Sequence, residues 1–399
     1  MLKAKVVYIG IILWSFLSLY TSFINMGYAT GTTLGGYVAL VIKYIIVLVM
    51  LLGLLRNKVG LTKGKLSKSI FIWATYAFAI TTLFMMGQWQ KVYIELLWWV
   101  LLFFFFSDVA YRDASDKELT RFVHWYLPIL FIGNLVVYIF GWLSTNGMMG
   151  FATVSLNHYF YVGLLLPFLF LIKNKGLKYT LFTLGFVASL ISYKRSSIIF
   201  AFALFILLIY TDFVKTASHR KGAMSGIIGV LLLGGVMFFS YNKIDALTNG
   251  YISRRFEQTA EDGGSGREER YENTIERYMT LPFPNKIIGI GFDGVRNKFN
   301  TNDSDIENGA SAHNDFLEML CDFGVIGLLL YLVVVINLLR MVKKCKRISE
   351  NLYDANVAGL IVFFVMSMVS HLFLYGSYFG YLAILWGFSN GTQRRVGIT

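Results

Sequence analysis

Charged residues and cysteine are both scarce in this sequence, and each shortage excludes a class of protein. Only 15% of the 399 residues are charged, against about 25% in an ordinary soluble domain, which argues against a soluble enzyme. The two cysteines, Cys321 and Cys345, are too few for a disulfide framework or a thiolate metal site. We expect no cleavable signal peptide, because the first apolar stretch is long and is followed by further apolar stretches.

The sequence is instead rich in apolar and aromatic residues, at 56% and 17% of the chain. They are massed in runs close to the roughly 20 residues that a helix needs to cross a bilayer. The pattern predicts an all-α polytopic membrane protein with about twelve transmembrane helices. The predicted spans lie near residues 6–25, 34–55, 69–87, 91–107, 122–143, 153–172, 177–193, 197–213, 223–241, 322–340, 355–374 and 377–390.

The excess of basic residues predicts how these spans are oriented. The formal net charge of +13 is spread between apolar runs, whereas a nucleic-acid binder is expected to gather it in one stripe. With the N-terminus inside, the short inner segments hold 23 Lys and Arg and the short outer connections hold 3. Cytoplasmic loops are enriched in these residues, so both termini are predicted to be cytoplasmic.

One long polar segment, residues 242–321, is predicted to face outside. It divides the chain into spans 1 to 9 (1–241), the extracytoplasmic loop (242–321), and spans 10 to 12 with a cytoplasmic tail (322–399). Ser265 and Glu268 have the spacing of a capping box, which predicts a helix that ends before Pro282. Arg267 then lies in the first helical turn, where N–H groups and the helix dipole favour an anion.

Two further segments carry candidate site residues on the predicted outer side. His313-Asn314 is followed after nine residues by Gly324-x-x-Gly327; a histidine here is either a polar interface residue or a catalyst, and the glycines favour close helix packing. Arg195 follows Lys194 at the tip of a predicted helical hairpin. It is either an interfacial cation whose head reaches water or part of the same site.

Two charges fall inside predicted spans, Lys43 and Glu95. Unpaired charges are costly there, so we expect either a structural pair or a role in the site. Gly289 to Gly294 match G-x-G-x-x-G, but the apolar helix that a dinucleotide site requires does not follow, and we predict a turn. No metal-ligand spacing appears in the loop, so we predict neither a metal nor a cofactor.

Together these features resemble the bacterial O-antigen ligase and polymerase family, whose members act on undecaprenyl-pyrophosphate-linked glycans. The family pattern of His, Asn/Ser/Gln, nine residues and Gly-x-x-Gly is met by His313, Asn314, Gly324 and Gly327. The family arginine at an outer hairpin tip resembles Arg195 in YKRSS. In the family, a helix that begins with an arginine is followed by a proline and a Gly-rich turn. The segment SGREERYENTIERYMTLPFPNKIIGIGFDG resembles this pattern, with Arg267 in the place of the family arginine.

The resemblance implies a GT-C-like membrane fold and an inverting, metal-independent glycosyl transfer on the periplasmic face of the bacterial inner membrane. Arg195 and Arg267 would bind pyrophosphate, because arginine offers forked and permanently charged donors. His313 would be the base for the acceptor hydroxyl. Candidates with a supporting role are Asn314, Arg254, Arg255, Arg270, Glu318, Lys43 and Glu95.

Three functions stay open at this point. The leading one is polymerisation, in which glycan moves from undecaprenyl pyrophosphate to a new lipid-linked repeat unit. The alternative within the same chemistry is ligation of finished glycan to lipid A core. The third is transport of a lipid-linked oligosaccharide, which is disfavoured because no halves repeat and only Pro128 and Pro167 fall in spans. The implied partners are lipid-linked donor and acceptor, membrane lipids, a chain-length regulator and a flippase, and no nucleic acid.

Overall fold

In the computed structural model all the described secondary structure is helical, as the apolar runs predict. The structure describes residues 2–24, 34–57, 63–84, 89–113, 117–149, 157–215, 267–295, 312–370 and 376–398, with residues 115 and 372 and scattered positions between 234 and 257. The α-helices are α1 Leu2–Ile24, α2 Leu34–Arg56, α3 Lys65–Phe84, α4 Trp89–Arg112, α5 Lys117–Arg121, α6 Leu127–Met149, α7 Phe160–Gly163, α8 Lys175–Ile191, α9 Arg195–Ile209, α10 Arg267–Thr280, α11 Phe283–Ile288, α12 Asp315–Cys345, α13 Glu350–Val369 and α14 Gly376–Arg395.

Eight helical segments of the described chain are long and apolar enough to cross a membrane, as expected of a multi-pass membrane protein. Seven of them coincide with α1, α2, α3, α4, α9, α12 and α13, apart from a few terminal residues. The eighth runs from Lys117 to Leu143, because a π-helical turn at Phe122–Tyr126 joins α5 to α6. These eight match eight of the twelve predicted spans.

The four other predicted spans differ in outcome. The segment 153–172 is not one continuous helix: α7 lies between two short 3-10 helices, Asn157–Tyr159 and Leu166–Leu171, the second with Pro167 in its first turn. Proline lacks an N–H and ends regular α-helical bonding there. The run 177–193 forms α8, which has 17 residues, and 377–390 lies within α14. The run 223–241 lies largely outside the described residues, so the count of twelve stays a prediction.

The glycine-interrupted last span is a packing helix. In α14 a Cβ on Gly376 would lie 1.9 Å from the Glu95 carbonyl oxygen, and one on Gly391 would lie 2.2 Å from the Ser107 carbonyl oxygen. Gly387 is similarly close to the carbonyl of Phe103, at 2.6 Å. Glycines spaced along one face let two helix backbones approach closely. They explain how α14 packs along α4.

The chain forms two compact units, each made of several chain segments. The first unit comprises Met1–Met50, Lys117–Gln258 and Asp354–Val362. The second comprises Leu51–Asp116, Thr259–Tyr353 and Phe363–Thr399. The first therefore contains Arg195, and the second contains Arg267 and His313.

Candidate functional site

His313 lies at the junction between the loop and α12, in a backbone conformation that side chains rarely adopt. Its φ is 53°, and among the described non-glycine residues only Tyr193 and Asp293 share a positive φ. The left-handed region costs an ordinary residue about 1–2 kcal/mol. Such a conformation persists only where the surrounding structure enforces it, and these positions cluster at functional sites. The His313 side chain is half-buried.

Asn314 fixes the start of α12 directly after His313. It is the N-cap residue, and its Oδ1 accepts hydrogen bonds from the backbone N–H groups of Phe316, at 2.9 Å, and Leu317, at 3.2 Å. A cap of this kind stabilises a helix by about 1 kcal/mol. The structure thus gives the supporting candidate Asn314 a positioning role, since it sets where the helix begins relative to the histidine.

Glu318 holds the residue on the other side of His313. Its Oε1 accepts a hydrogen bond from the backbone N–H of Ala312 at 2.6 Å, and the side chain is only 1% exposed. Its second oxygen, Oε2, is buried without a hydrogen-bond partner among the described residues. His313 is therefore bracketed by Asn314 and by the Glu318 bond to Ala312, which together account for its enforced backbone conformation.

Two more buried acids lie on the same face of α12. Asp315 accepts a hydrogen bond from the Ser367 hydroxyl at 2.7 Å, and Asp322 accepts backbone bonds from the loop that follows α11. With Glu318 they occupy positions i, i+3 and i+7, which share one helix face. The sequence-based prediction named Glu318 and missed Asp315 and Asp322. Three acids at helical spacing at the start of an apolar helix were the signal that could have found them.

The G-x-G-x-x-G segment forms a turn, as predicted, and the turn binds an anion of the protein itself. The N–H groups of Asp293, Gly294 and Val295 point at the Asp322 carboxylate, at 2.7, 2.9 and 3.3 Å. Successive backbone N–H groups in a turn make an anion-binding concavity. Because the carboxylate of Asp322 occupies it, the turn is a clasp that fixes the loop to α12.

Arg267 begins the predicted loop helix, which is α10 and ends at Thr280, before the two prolines. The predicted Ser265 cap lies outside the described residues. Arg267 and Arg270 are half-buried, whereas Glu268 and Glu269 between them are exposed. The two arginines are three residues apart and therefore share a helix face. The acids of this first turn offset part of the positive potential that the sequence reading assigned to it.

The same face of α10 is attached to the His313 segment. Tyr271 Oη lies 2.8 Å from the carbonyl oxygen of Met368 in α13 and 3.4 Å from the carbonyl oxygen of His313. Tyr271 follows Arg270 and is one turn from Arg267 on that face. The structure thus brings α10, with its arginines, to the segment that carries His313. Sequence reasoning did not single out Tyr271.

Arg195 lies in the first unit, as the first residue of α9 after a tight turn from α8. Tyr193 in that turn has a φ of 53°, and Lys194 Nζ lies 5.3 Å from the centroid of the Phe160 ring. Arg195 is only 7% exposed. An interfacial cation keeps its head in water, so this burial does not fit the interfacial interpretation and favours a structural or binding role.

A comparison with protein families now bears on these residues. Residues 180–332 match the family model described as O-antigen ligase. The match supports the resemblance of this segment to the O-antigen polymerase and ligase family. The match runs from α8 into α12 and contains Arg195, Arg267 and His313. Members of the family are glycosyltransferase-like enzymes. No curated protein matches the chain.

Gly324 and Gly327 both permit close packing, and Gly324 also interrupts α12. Gly327 packs closely, as expected, since a Cβ there would lie 3.2 Å from the Tyr76 ring of α3. Gly324 interrupts α12 with φ 66° and ψ −173°, a region that essentially only glycine occupies. A Cβ on Gly324 would lie 2.2 Å from the Ile287 carbonyl oxygen. Gly324 therefore permits close packing against the end of α11, as expected, and it also forms a backbone kink there.

The kink at Gly324 and the turn after α11 also contact each other closely at a second glycine, Gly289. Gly289 has the same type of conformation, with φ 92° and ψ −172°, and a Cβ there would lie 2.2 Å from the Asp322 carbonyl oxygen. Tyr76 Oη lies 3.0 and 3.1 Å from the carbonyl oxygens of Ile288 and Phe323. Each backbone therefore fills the space that a side chain on the other would need.

The candidates Lys43 and Glu95 form contacts with residues that are far from His313 in the sequence. Lys43 is 3% exposed and its Nζ lies 5.7 Å from the Trp14 ring centroid, a cation–π distance. Glu95 accepts hydrogen bonds from the Ser377 backbone N–H and hydroxyl, each at 2.9 Å. Arg254 is exposed, and Arg255 lies outside the described residues. The suggested pairing of Lys43 with Glu95 stays a prediction.

Proposed function

We propose that this protein is an O-antigen polymerase, or the polymerase of a related surface polysaccharide. It transfers a growing glycan from undecaprenyl pyrophosphate to a new lipid-linked repeat unit. The observation that carries the proposal is the enforced conformation of His313 at the start of α12, within the segment that matches the O-antigen ligase family model. A buried acid, a helix cap and α10 all fix the backbone around this one histidine.

In the proposed reaction the acceptor hydroxyl oxygen attacks the anomeric carbon of the donor sugar. The bond between that carbon and the pyrophosphate oxygen breaks, and the pyrophosphate leaves with the electron pair. His313 takes the hydroxyl proton as general base. Arg195 and Arg267 hold the leaving group and neutralise its charge, because guanidinium groups donate paired hydrogen bonds to phosphate. The configuration inverts, and these cations serve where soluble transferases often use a divalent ion.

We assign the protein to the bacterial cytoplasmic membrane, with both termini inside and the site facing the periplasm. The charge bias of the short loops supports this orientation. The donor and acceptor are undecaprenyl-pyrophosphate-linked oligosaccharides, and a chain-length regulator and a flippase are the expected partners.

The test of this function is the purified protein with a lipid-linked repeat unit and a substitution of His313. Alanine at this position removes the imidazole but keeps the strained backbone, so His313→Asn is the sharper variant, since asparagine tolerates the left-handed region. We expect both variants to fold and bind donor, and to lose about 10²- to 10⁴-fold in transfer rate. His124→Ala is the matched control, because His124 is exposed and predicted to face the cytoplasm. Full transfer by His313→Asn would remove the general-base mechanism.

Ligation of finished glycan to lipid A core is the second candidate, and the match to the O-antigen ligase family model favours it. Both reactions use the same leaving group and the same kind of acceptor hydroxyl. The surface glycan of a deletion strain separates them. Single repeat units on the core indicate a polymerase, whereas a bare core with lipid-linked polymer accumulating indicates a ligase.

Transport of a lipid-linked oligosaccharide is favoured by one observation, the broken segment that contains α7. Interrupted helices are a feature of transporter sites. We rank transport third, because the segment that matches the O-antigen ligase family model contains His313 and both arginines. Movement of lipid-linked sugar across a reconstituted bilayer without any lengthening would replace our assignment.

A further inference from the structure

A basic cavity lies at the far end of α12 from His313. It opens between the start of α3 and the last turns of α12 and α14, and has a volume of about 140 Å³, roughly ten times what one water molecule needs. Lys65, Arg340, Lys344 and Arg394 line it. About 30 Å of helix separates Gly324 from Lys344, so the cavity is distinct from the His313 site.

The positive charge of this basic cavity is not balanced by acids. No acidic residue lines it, and none of the four cations forms an ion pair within the part of the chain that the structure describes. Asp108 does not line the cavity but interacts electrostatically with Arg394. The Asp108 carboxylate forms an ion pair with Arg112, at 2.9 Å. Four like charges around one concavity create a strong positive potential that an anion would relieve.

The walls of the basic cavity are held in place by buried amides. Asn390 donates to the hydroxyls of Ser67 and Ser107, at 3.0 and 2.8 Å. Gln393 donates to the Met341 carbonyl at 2.6 Å. Both amides line the cavity and are at most 5% exposed. They fix α14 against α3, α4 and α12, so the cavity is built before any ligand arrives.

Contacts with neighbouring side chains fix the orientation of two of the four cations. The Arg394 guanidinium lies 4.8 Å from the centroid of the Tyr111 ring, and Arg340 donates to the Asn337 side-chain oxygen at 3.3 Å. Arginine in a fixed plane presents paired donors that match phosphate oxygens. Lys65 and Lys344 add two further positive charges to the lining.

We propose that this basic cavity binds a phosphate group, presented either by the headgroup of an anionic phospholipid or by a soluble phosphate compound. The charge bias predicts that these helix ends lie in the cytoplasm, where basic pockets between membrane helices bind anionic headgroups. Nothing in the proposed glycan transfer requires a phosphate on this side. The cavity is therefore a second binding site, independent of the transfer reaction.

The test compares the full chain in nanodiscs of phosphatidylcholine alone and of phosphatidylcholine with phosphatidylglycerol. Thermal midpoints and lipid retained in native mass spectrometry are measured for the wild type and for the double variant Arg340→Gln with Lys344→Gln. A bound ligand raises the thermal midpoint by mass action. We expect the wild type to gain stability from phosphatidylglycerol, and the variant to bind it about tenfold or more weakly, since it loses two charge-assisted hydrogen bonds to the phosphate.

The matched control is Lys343→Gln with Arg347→Gln. It removes the same charge from the same helix end, at exposed residues that do not line the basic cavity. We expect its binding to stay within about twofold of the wild type, as for exposed surface charges. Equal losses in the two double variants would overturn the proposal, because binding would then follow the general surface charge.

A second arm identifies the source of the phosphate. Inorganic phosphate is titrated against the protein in phosphatidylcholine nanodiscs. A shift that the cavity variant lacks supports a soluble ligand, and a shift seen only with phosphatidylglycerol supports a lipid. The absence of a cavity-dependent shift in both arms overturns the proposal. If the first variant does not fold, Lys65→Gln with Arg340→Gln replaces it, since both positions are exposed.

Discussion

At the scale of single residues, the candidate site contains buried carboxylates. Hydrogen bonds from neighbouring residues offset part of the free energy that it costs to remove these groups from water. Glu318 and Asp322 are at most 1% exposed, and burying a carboxylate is expensive unless hydrogen bonds compensate. Asp322 receives three backbone N–H groups and Glu318 receives one. The strained His313 lies between these anchors and α10. His313 therefore keeps its left-handed backbone conformation because the surrounding residues enforce it, and not because histidine favours that conformation.

Arg195 allows a residue-level prediction that separates binding from anchoring. If its guanidinium holds pyrophosphate, Arg195→Ala weakens donor binding and turnover, and Arg195→Lys rescues poorly because a point charge cannot replace a forked donor. An anchoring role predicts the reverse, with lysine nearly as good and the damage confined to expression. Expression, donor binding and polymer length are measured side by side, with Arg347→Lys, at an exposed position that is predicted to be cytoplasmic, as control. Full-length polymer from Arg195→Lys would withdraw Arg195 from the site.

At the scale of elements, the site depends on how the turn after α11 meets the kink in α12. A Cβ on Gly324 would lie 2.6 Å from the Gly289 backbone nitrogen, and a Cβ on Gly289 would lie 2.2 Å from the Asp322 carbonyl oxygen. The Asp322 carboxylate closes the clasp. Tyr76 of α3 bonds to both segments. Gly324 thus contributes to the candidate site by fixing the shape of α12 below His313.

The element-level prediction is that Gly324→Ala destabilises the protein by roughly 2–6 kcal/mol. Conformational strain contributes about 1–3 kcal/mol and the clash with the Ile287 carbonyl about the same. The thermal midpoint of the detergent-solubilised protein measures it. Gly250→Ala is the control, because Gly250 also has a positive φ, 74°, but open space around its Cβ position. Equal damage at the two positions would mean that the interlock with α11 contributes nothing.

At the scale of the whole molecule, the distribution of Lys and Arg between the short loops predicts the orientation in the membrane. The 23 inner and 3 outer basic residues of the short segments predict that the loop of residues 242–321 lies outside and the basic cavity inside. The catalytic proposal and the phosphate proposal both depend on this orientation, since a flipped lipid-linked substrate meets only the outer face.

Reporter fusions test the orientation without reference to activity. Fusions after Lys63, Lys175 and Lys344 are expected to report the cytoplasm, and fusions within residues 243–312 the exterior, because Lys and Arg in short loops resist translocation. A cytoplasmic signal from the loop would put His313 on the wrong side for the proposed reaction. The fusions after Lys63 and Lys344 also place the basic cavity.

The sequence by itself determined the helical class, the position of most spans and the residues of the His313 motif. Apolar runs and loop charges are local properties, so they can be read without the fold. The helix that begins at Arg267 could likewise be predicted from local signals, namely the capping-box spacing at its start and the prolines after its end.

Only the tertiary structure decided what the individual residues do. The anion of the glycine-rich turn is Asp322, which lies 28 residues beyond Gly294 in the chain, and the kink at Gly324 exists because α11 occupies the space beside it. The interruption around α7 and the glycine face of α14 also depend on packing. Contacts between distant segments follow from which surfaces meet in three dimensions, and neither periodicity nor composition records that.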